Sequence, residues 1–156
     1  MNDRGGATGN HFLDSLSTAQ MAKLQPALGR IRLETGHELY QPGASIERIY
    51  FPIDCVLSMM TVLSDGRCAE NCTLGCEGAL GLLSALGSPY CASRVFVQIG
   101  GEALQAPLHE LRRLSDEDSG VSNRIVRHAQ AMIAQAEQSV ACNALHSVEQ
   151  RLCRWL

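Results

Sequence analysis

No stretch of the 156-residue chain approaches the roughly 20 consecutive apolar residues that a membrane-spanning helix needs. The first ten residues, MNDRGGATGN, are polar and glycine-rich, where a secretory leader would set a charged head before an apolar core. The expectation is a cytoplasmic protein with a flexible leader over 1–10. An excess of positive charge is lacking too: Lys and Arg number 13 against 16 Asp and Glu, a net charge of −3. That is too little cation to hold nucleic acid by neutralising phosphates, so a DNA contact would need a small patch or residues outside this chain. Catalytic signatures are also missing. There is no nucleophile elbow, no P-loop, no paired carboxylates and no His-x-His, which points away from an enzyme.

Cysteine is plentiful by contrast, with seven in the chain and none before Cys55. An odd number in a reducing compartment argues against a disulfide framework. The stretch CAENCTLGC spaces Cys68, Cys72 and Cys76 four residues apart, which puts them on one face of a strand and roughly on one face of a helix. With Cys91 as fourth ligand they form a candidate metal or thiol redox sensor. Cys142 and His146, an i, i+4 pair with Glu149 one turn further, form a second. Zinc knuckles and iron–sulfur motifs commonly use two-residue spacings, and buried structural thiols are the plainer reading. No metal site is therefore assigned, and the redox sensor stands as the alternative.

Short-range signals divide the rest. HFLDSLSTAQMAKLQPAL carries Ser17 as a helix cap and predicts two helical turns. From Gly29 to Cys76 short alternating runs are broken by TGH, QPG and the Asp-Gly turn of LSDGR, which predicts four to six antiparallel strands. GCEGALGLLSALGSP is too rich in Gly and Ala for a strand and predicts a short helix at about Ala79 to Leu86. Strands resume in SRVFVQIGGEALQAP, where Val95, Val97 and Ile99 alternate. Together these predict a small barrel or β-roll over 11–118. From about Ser119 apolar residues recur at three- and four-residue steps, a helix of roughly 20 to 25 residues running into a second one. Its stripe exceeds what a small barrel can cover, which predicts a homodimer paired over 119–147 through Ile125, Ala129, Met132, Ile133, Ala136 and Val140. Packing of this helix on its own domain is the alternative.

Three stretches in this order, LYQPGASIERIYFPIDCVLSMMTVLSDGR, EGALGLLSALG and ACNALHSVEQRLCRWL, resemble the sensor half of the Crp/Fnr transcription regulators over about residues 11–156. The resemblance implies a mainly β fold with α: an eight-stranded double-stranded β-helix, or cupin-like jelly roll, with short N-terminal helices and a long C-terminal dimerisation helix. It implies that 148–156 begin a DNA-binding domain whose remainder, a winged helix-turn-helix, is not in this chain. EGALGLLSALG is similar to the family's phosphate-binding cassette, in which a Glu grips the ribose of a cyclic nucleotide and a later Arg pairs with its phosphate. Here Ala79 and Ala92 stand at those positions. Ser93 follows, and Arg94 lies two residues on, about 7 Å along a strand. Losing a charge-assisted pair argues against classical cyclic AMP binding, so no cofactor is assigned, although backbone N–H groups from Gly78 to Leu80 would suit an anion. The effector pocket implied is Gly78, Ala79, Leu80, Gly81, Ser93 and Arg94, faced by Met132, Gln135 and Ala136. An iron–sulfur sensor of the Fnr kind would carry cysteines near its N-terminus, where this chain has none. A small cupin-like enzyme is the weaker alternative, since the closely spaced His ligands of such barrels are absent.

Overall fold

The computed structural model describes residues 8–153, so the start of the expected leader and the terminal Trp155-Leu156 lie outside the described residues. Residues 8–10 belong to the fold rather than to a leader. Asn10 is completely buried: its side-chain oxygen caps α1 (His11–Asp14) by accepting from the Leu13 N–H. Its amide donates to the carbonyls of Pro52 and Gly78, at 2.8 Å each. Helix α2 (Thr18–Leu24) opens with a capping box, Ser17 accepting from the Gln20 N–H while the Gln20 side chain accepts from the Ser17 N–H.

Seven strands follow: β1 (Gly29–Leu33), β2 (Glu38–Tyr40), β3 (Arg48–Pro52), β4 (Val56–Val62), β5 (Cys68–Leu74), β6 (Arg94–Ile99) and β7 (Gly101–Pro107). They form two antiparallel sheets, β1-β7-β3 and β2-β6-β4-β5. Gly66, at φ 84°, supplies the left-handed residue of the Asp65-Gly66 turn that joins β4 to β5. The expected eighth strand is not among the described residues. Instead, single bridges (Ser45 to Tyr90, Tyr50 to Leu80) tie the glycine-broken segment between β5 and β6 to its neighbours.

The core lies between the sheets, where Ile49, Phe51, Leu57, Val95 and Val97 are completely buried. Phe12 of α1 stacks on Phe51 with ring centroids 6.2 Å apart. Helix α3 (Leu108–Glu117) replaces the last part of the expected roll. Leu108, Leu111 and Leu114 recur every three residues on its buried side, while Arg113 bridges Glu110 and Glu117 on the other. Helix α4 (Ser119–Leu145) spans 27 residues and starts where the Asp118 carboxylate accepts from the Gly120 N–H. Val121 and Ile125 of α4 are completely buried against the chain's own core. Ile125 therefore drops out of the expected pairing stripe. It sits on the first turns, where α4 still packs on the roll. After His146 turns extended, α5 (Val148–Cys153) begins with a second capping box between Ser147 and Gln150. No helix among the described residues is long and apolar enough to cross a membrane.

Candidate functional site

The segment from Gly75 to Ser93 leaves β5, crosses the end of the roll and returns into β6. Its helix is shorter than expected, a 3-10 turn at Leu82–Ala85 that starts after Gly81, whose φ of 89° suits only glycine. Before it the chain is extended, because Leu80 exchanges backbone hydrogen bonds with Tyr50 at 2.8 and 3.2 Å. The anion cradle expected from Gly78 to Leu80 is consequently not formed. The Gly78 N–H donates to the Gly75 carbonyl and the Leu80 N–H to Tyr50.

Helix α4 lies against this segment at its tightest point. The His128 ring nitrogen Nε2 is 3.2 Å from the Ala79 carbonyl oxygen, which can only accept, so Nε2 carries the proton. Phe12 meets the imidazole edge-on, with ring centroids 6.3 Å apart. Burial pushes the His128 pKa below its ordinary value, so the ring is held neutral and Nδ1 is an acceptor. Gly78 is the residue that admits the ring: a Cβ there would lie 2.2 Å from His128 Cε1. Two turns further along α4, Gln135 donates to the Thr73 carbonyl at 3.3 Å and accepts from the Cys72 thiol at 2.9 Å.

Between these two ties a cleft of about 330 Å³ opens. Of the residues named above for an effector pocket, Ala79, Leu80, Gly81 and Ser93 line it from the roll and Met132 and Ala136 from α4. Ala129 and Ile133 of the expected pairing stripe line it as well. Ala92 also lies on its wall, so the positions of the missing Glu and Arg are both at the cleft. Three expected residues are not part of the lining. Gly78 sits under His128, Gln135 is engaged with β5, and Arg94 pairs with Glu38 at 2.6 Å. Sequence reasoning missed His128 and Asn71. Asn71 donates to Thr61 Oγ1 and Ser93 Oγ at 3.1 and 3.4 Å, and its side-chain oxygen is buried without a partner. His128 carries no local signal, since its partner Ala79 is 49 residues away.

The cysteines do not gather. Cys68 is exposed, Cys76 is half-buried, and Cys72 and Cys91 are buried, the Cys91 thiol donating to the Ser93 carbonyl at 3.1 Å. Burial, with Glu77 and Glu70 adding to it, pushes the Cys72 thiol up to about 11, far from a reactive thiolate. No group of three His, Cys, Asp or Glu among the described residues is placed to hold a metal. Cys142 is buried and accepts from Gln138, whereas His146 is exposed past the end of α4, its backbone N–H donating to the Cys142 carbonyl. Glu149 accepts from the Ser147 hydroxyl. Helix α4 thus ends between the two members of the expected i, i+4 pair.

No family model matches the chain and no curated protein matches it. Solved structures do. The c-di-GMP-responsive global regulator CLP of Xanthomonas campestris is 15% identical with a TM-score of 0.71, over 88% of this chain and 70% of that one. A protein of Eubacterium rectale described as a transcriptional regulator of the Crp/Fnr family is 12% identical with a TM-score of 0.78, over 91% and 67%. The protein kinase A regulatory domain of Toxoplasma gondii, solved with cyclic AMP, is 19% identical with a TM-score of 0.59, over 66% and 40%. The fold is that of a Crp/Fnr-like sensor domain, the β-roll of cyclic nucleotide-binding domains.

Proposed function

We propose that this chain is the effector-sensing and dimerisation part of a cytoplasmic, non-enzymatic Crp/Fnr-like transcription regulator, which passes ligand occupancy to a DNA-binding domain that follows it. The observation that carries the reading is the cleft itself. The roll, Ala79–Gly81 included, lines it on one side and helix α4 on the other, so an occupant that fills it touches both the roll and the element that leads out of it. A ligand can favour one setting of α4 only by its differential affinity for the two settings. A bound molecule pressing on Met132 and Ala136 supplies that difference, with the His128 and Gln135 ties as the fixed points about which α4 moves.

A homodimer is the second element of the proposal. Ile133 is 57% exposed and Val140 is 69% exposed on α4. Ala129, Met132 and Ala136, within about one turn of Ile133 on either side, line the cleft beside it. Pairing two copies of α4 would remove this apolar stripe from water. Cyclic nucleotides are the ligands named for related folds, but Ala79 and Ala92 leave the cleft without the Glu and Arg that would grip one.

Sedimentation of the chain tests the dimer. The expected result is a dimer at micromolar concentration that becomes monomeric when Ile133 and Val140 are both changed to Glu, with the circular dichroism of the roll retained. A parent chain that sediments as a monomer at high concentration refutes helix pairing.

A further inference from the structure

Among the described residues, none of the side chains lining the cleft belongs to Asp, Glu, Lys or Arg. Two arginines beside it are already committed. Arg94 is paired with Glu38, and Arg112 of α3 donates to the carbonyls of Ser84 and Gly87 at 2.9 and 3.2 Å. Much of the wall is hydrocarbon and thiol: Ile46, Met59, Leu80, Leu82, Met132 and Cys91. An anion entering this cleft would exchange water for apolar surface with no Lys or Arg to meet it and with the His128 ring on the wall held neutral by burial, and burying an unpaired charge is costly.

We infer that the cleft takes an uncharged small molecule with an apolar body, which packs between Leu80 and Met132. The inference rests on the reading of the cleft as the effector site and specifies the ligand class. Its volume, about 330 Å³, lies at the lower end for small-molecule pockets, which suits one or two fused rings better than a larger ligand. Cyclic nucleotides, with an obligatory phosphate charge, fall outside this class.

Three probes separate the terms: indole, which is apolar and uncharged; indole-3-carboxylate, which keeps the body and adds a charge; and cyclic AMP. Calorimetric or protein-observed NMR titration of the whole chain is expected to give saturable binding of indole. Indole-3-carboxylate and cyclic AMP are expected to bind at least about tenfold more weakly than indole, because the cleft lining holds no Lys or Arg. Ala136→Trp, on the face of α4 that lines the cleft, should fill it and remove indole binding while leaving the circular dichroism unchanged.

Tighter binding of indole-3-carboxylate or cyclic AMP than of indole overturns the ligand class and leaves the effector site standing. Indole binding that Ala136→Trp does not affect overturns the site and with it the sensing part of the proposed function. No saturable binding of indole overturns the inference, while the sedimentation test of the dimer stands apart from both.

Discussion

Replacing Gly78 with alanine tests whether α4 is seated on the cassette through His128. Gly78 has no positive φ, so the substitution carries no backbone strain and isolates packing. The added Cβ would lie 2.2 Å from His128 Cε1, 2.9 Å from His128 Nδ1 and 2.9 Å from Leu74 Cδ1. The Leu74 methyl can swing aside. The imidazole cannot move without lengthening its 3.2 Å contact to the Ala79 carbonyl and disturbing Phe12. Overpacking of this kind costs about 1–3 kcal/mol. Against it stands a gain of about 0.4–1 kcal/mol, because alanine restricts the unfolded chain more than glycine. The net expectation for Gly78→Ala is a loss of about 1–2 kcal/mol, or roughly 2–8 °C in Tm for a domain of this size. His128→Ala alone should cost about 1–2 kcal/mol, since it leaves the Ala79 carbonyl without its donor. In that background the Cβ added at position 78 enters vacated space, so the second substitution should be neutral or slightly stabilising. Urea unfolding of the four proteins, followed by circular dichroism, reads the coupling directly, and residues in contact commonly show about 0.5–3 kcal/mol. Equal cost of Gly78→Ala in both backgrounds would refute this account of how α4 is seated.

The depressed pKa of His128 has a pH consequence. Below its ordinary value of 6.5 the unfolded chain binds a proton that the folded chain refuses. Stability from this group is therefore full above about pH 6.5 and is lost as pH falls to the folded pKa; urea midpoints from pH 7.5 to 5 should fall more in the parent than in His128→Asn. Iodoacetamide at pH 8 should label exposed Cys68 far faster than Cys72, whose thiol stays protonated and buried, and equal rates by mass spectrometry would contradict the burial. Asn10→Ala removes a buried amide that holds the Pro52 and Gly78 carbonyls and caps α1, and should cost about 2–3 kcal/mol in urea unfolding. Ser17→Ala, which breaks the box on α2, should cost about 1 kcal/mol.

Where a residue's partner is a near neighbour in the chain, the sequence was legible. Ser17 and Gln20 three apart, the Asp65-Gly66 turn, the alternation of Val95 and Val97 and the long period of α4 each carry their own local signature. Helix α3 escaped because it follows Pro107 with no Ser, Thr, Asp or Asn cap to announce it, and because Leu108, Leu111 and Leu114 directly succeed a strand. At the cleft, Ala79, Ser93 and Met132 were legible only through their likeness to a known pattern. His128, Asn71 and the engagement of Arg94 with Glu38 were not, because each depends on a contact spanning 22 to 56 residues. Ile125 was misassigned for a related reason. Periodicity shows that a helix has an apolar stripe, but which turns of it meet the chain's own core depends on where the helix crosses the roll.

The arrangement β1-β7-β3 has a consequence for how the molecule is made. The middle strand of that sheet is the last of the seven, and it pairs Gly29 with Gln105 and Arg48 with Pro107. Neither outer strand pairs with any other strand among the described residues. On the ribosome, β4 and β5 can zip as a local hairpin as soon as their turn emerges, but β1 and β3 must wait with open edges until Pro107 has been synthesised. During that interval Ile49 and Phe51, the most deeply buried side chains of β3, are in water. Closure of the roll is thus a late event. The helix that leads out of the domain packs on α3, β5 and the turn at Leu82–Ala85, and of these α3 is made only after Pro107.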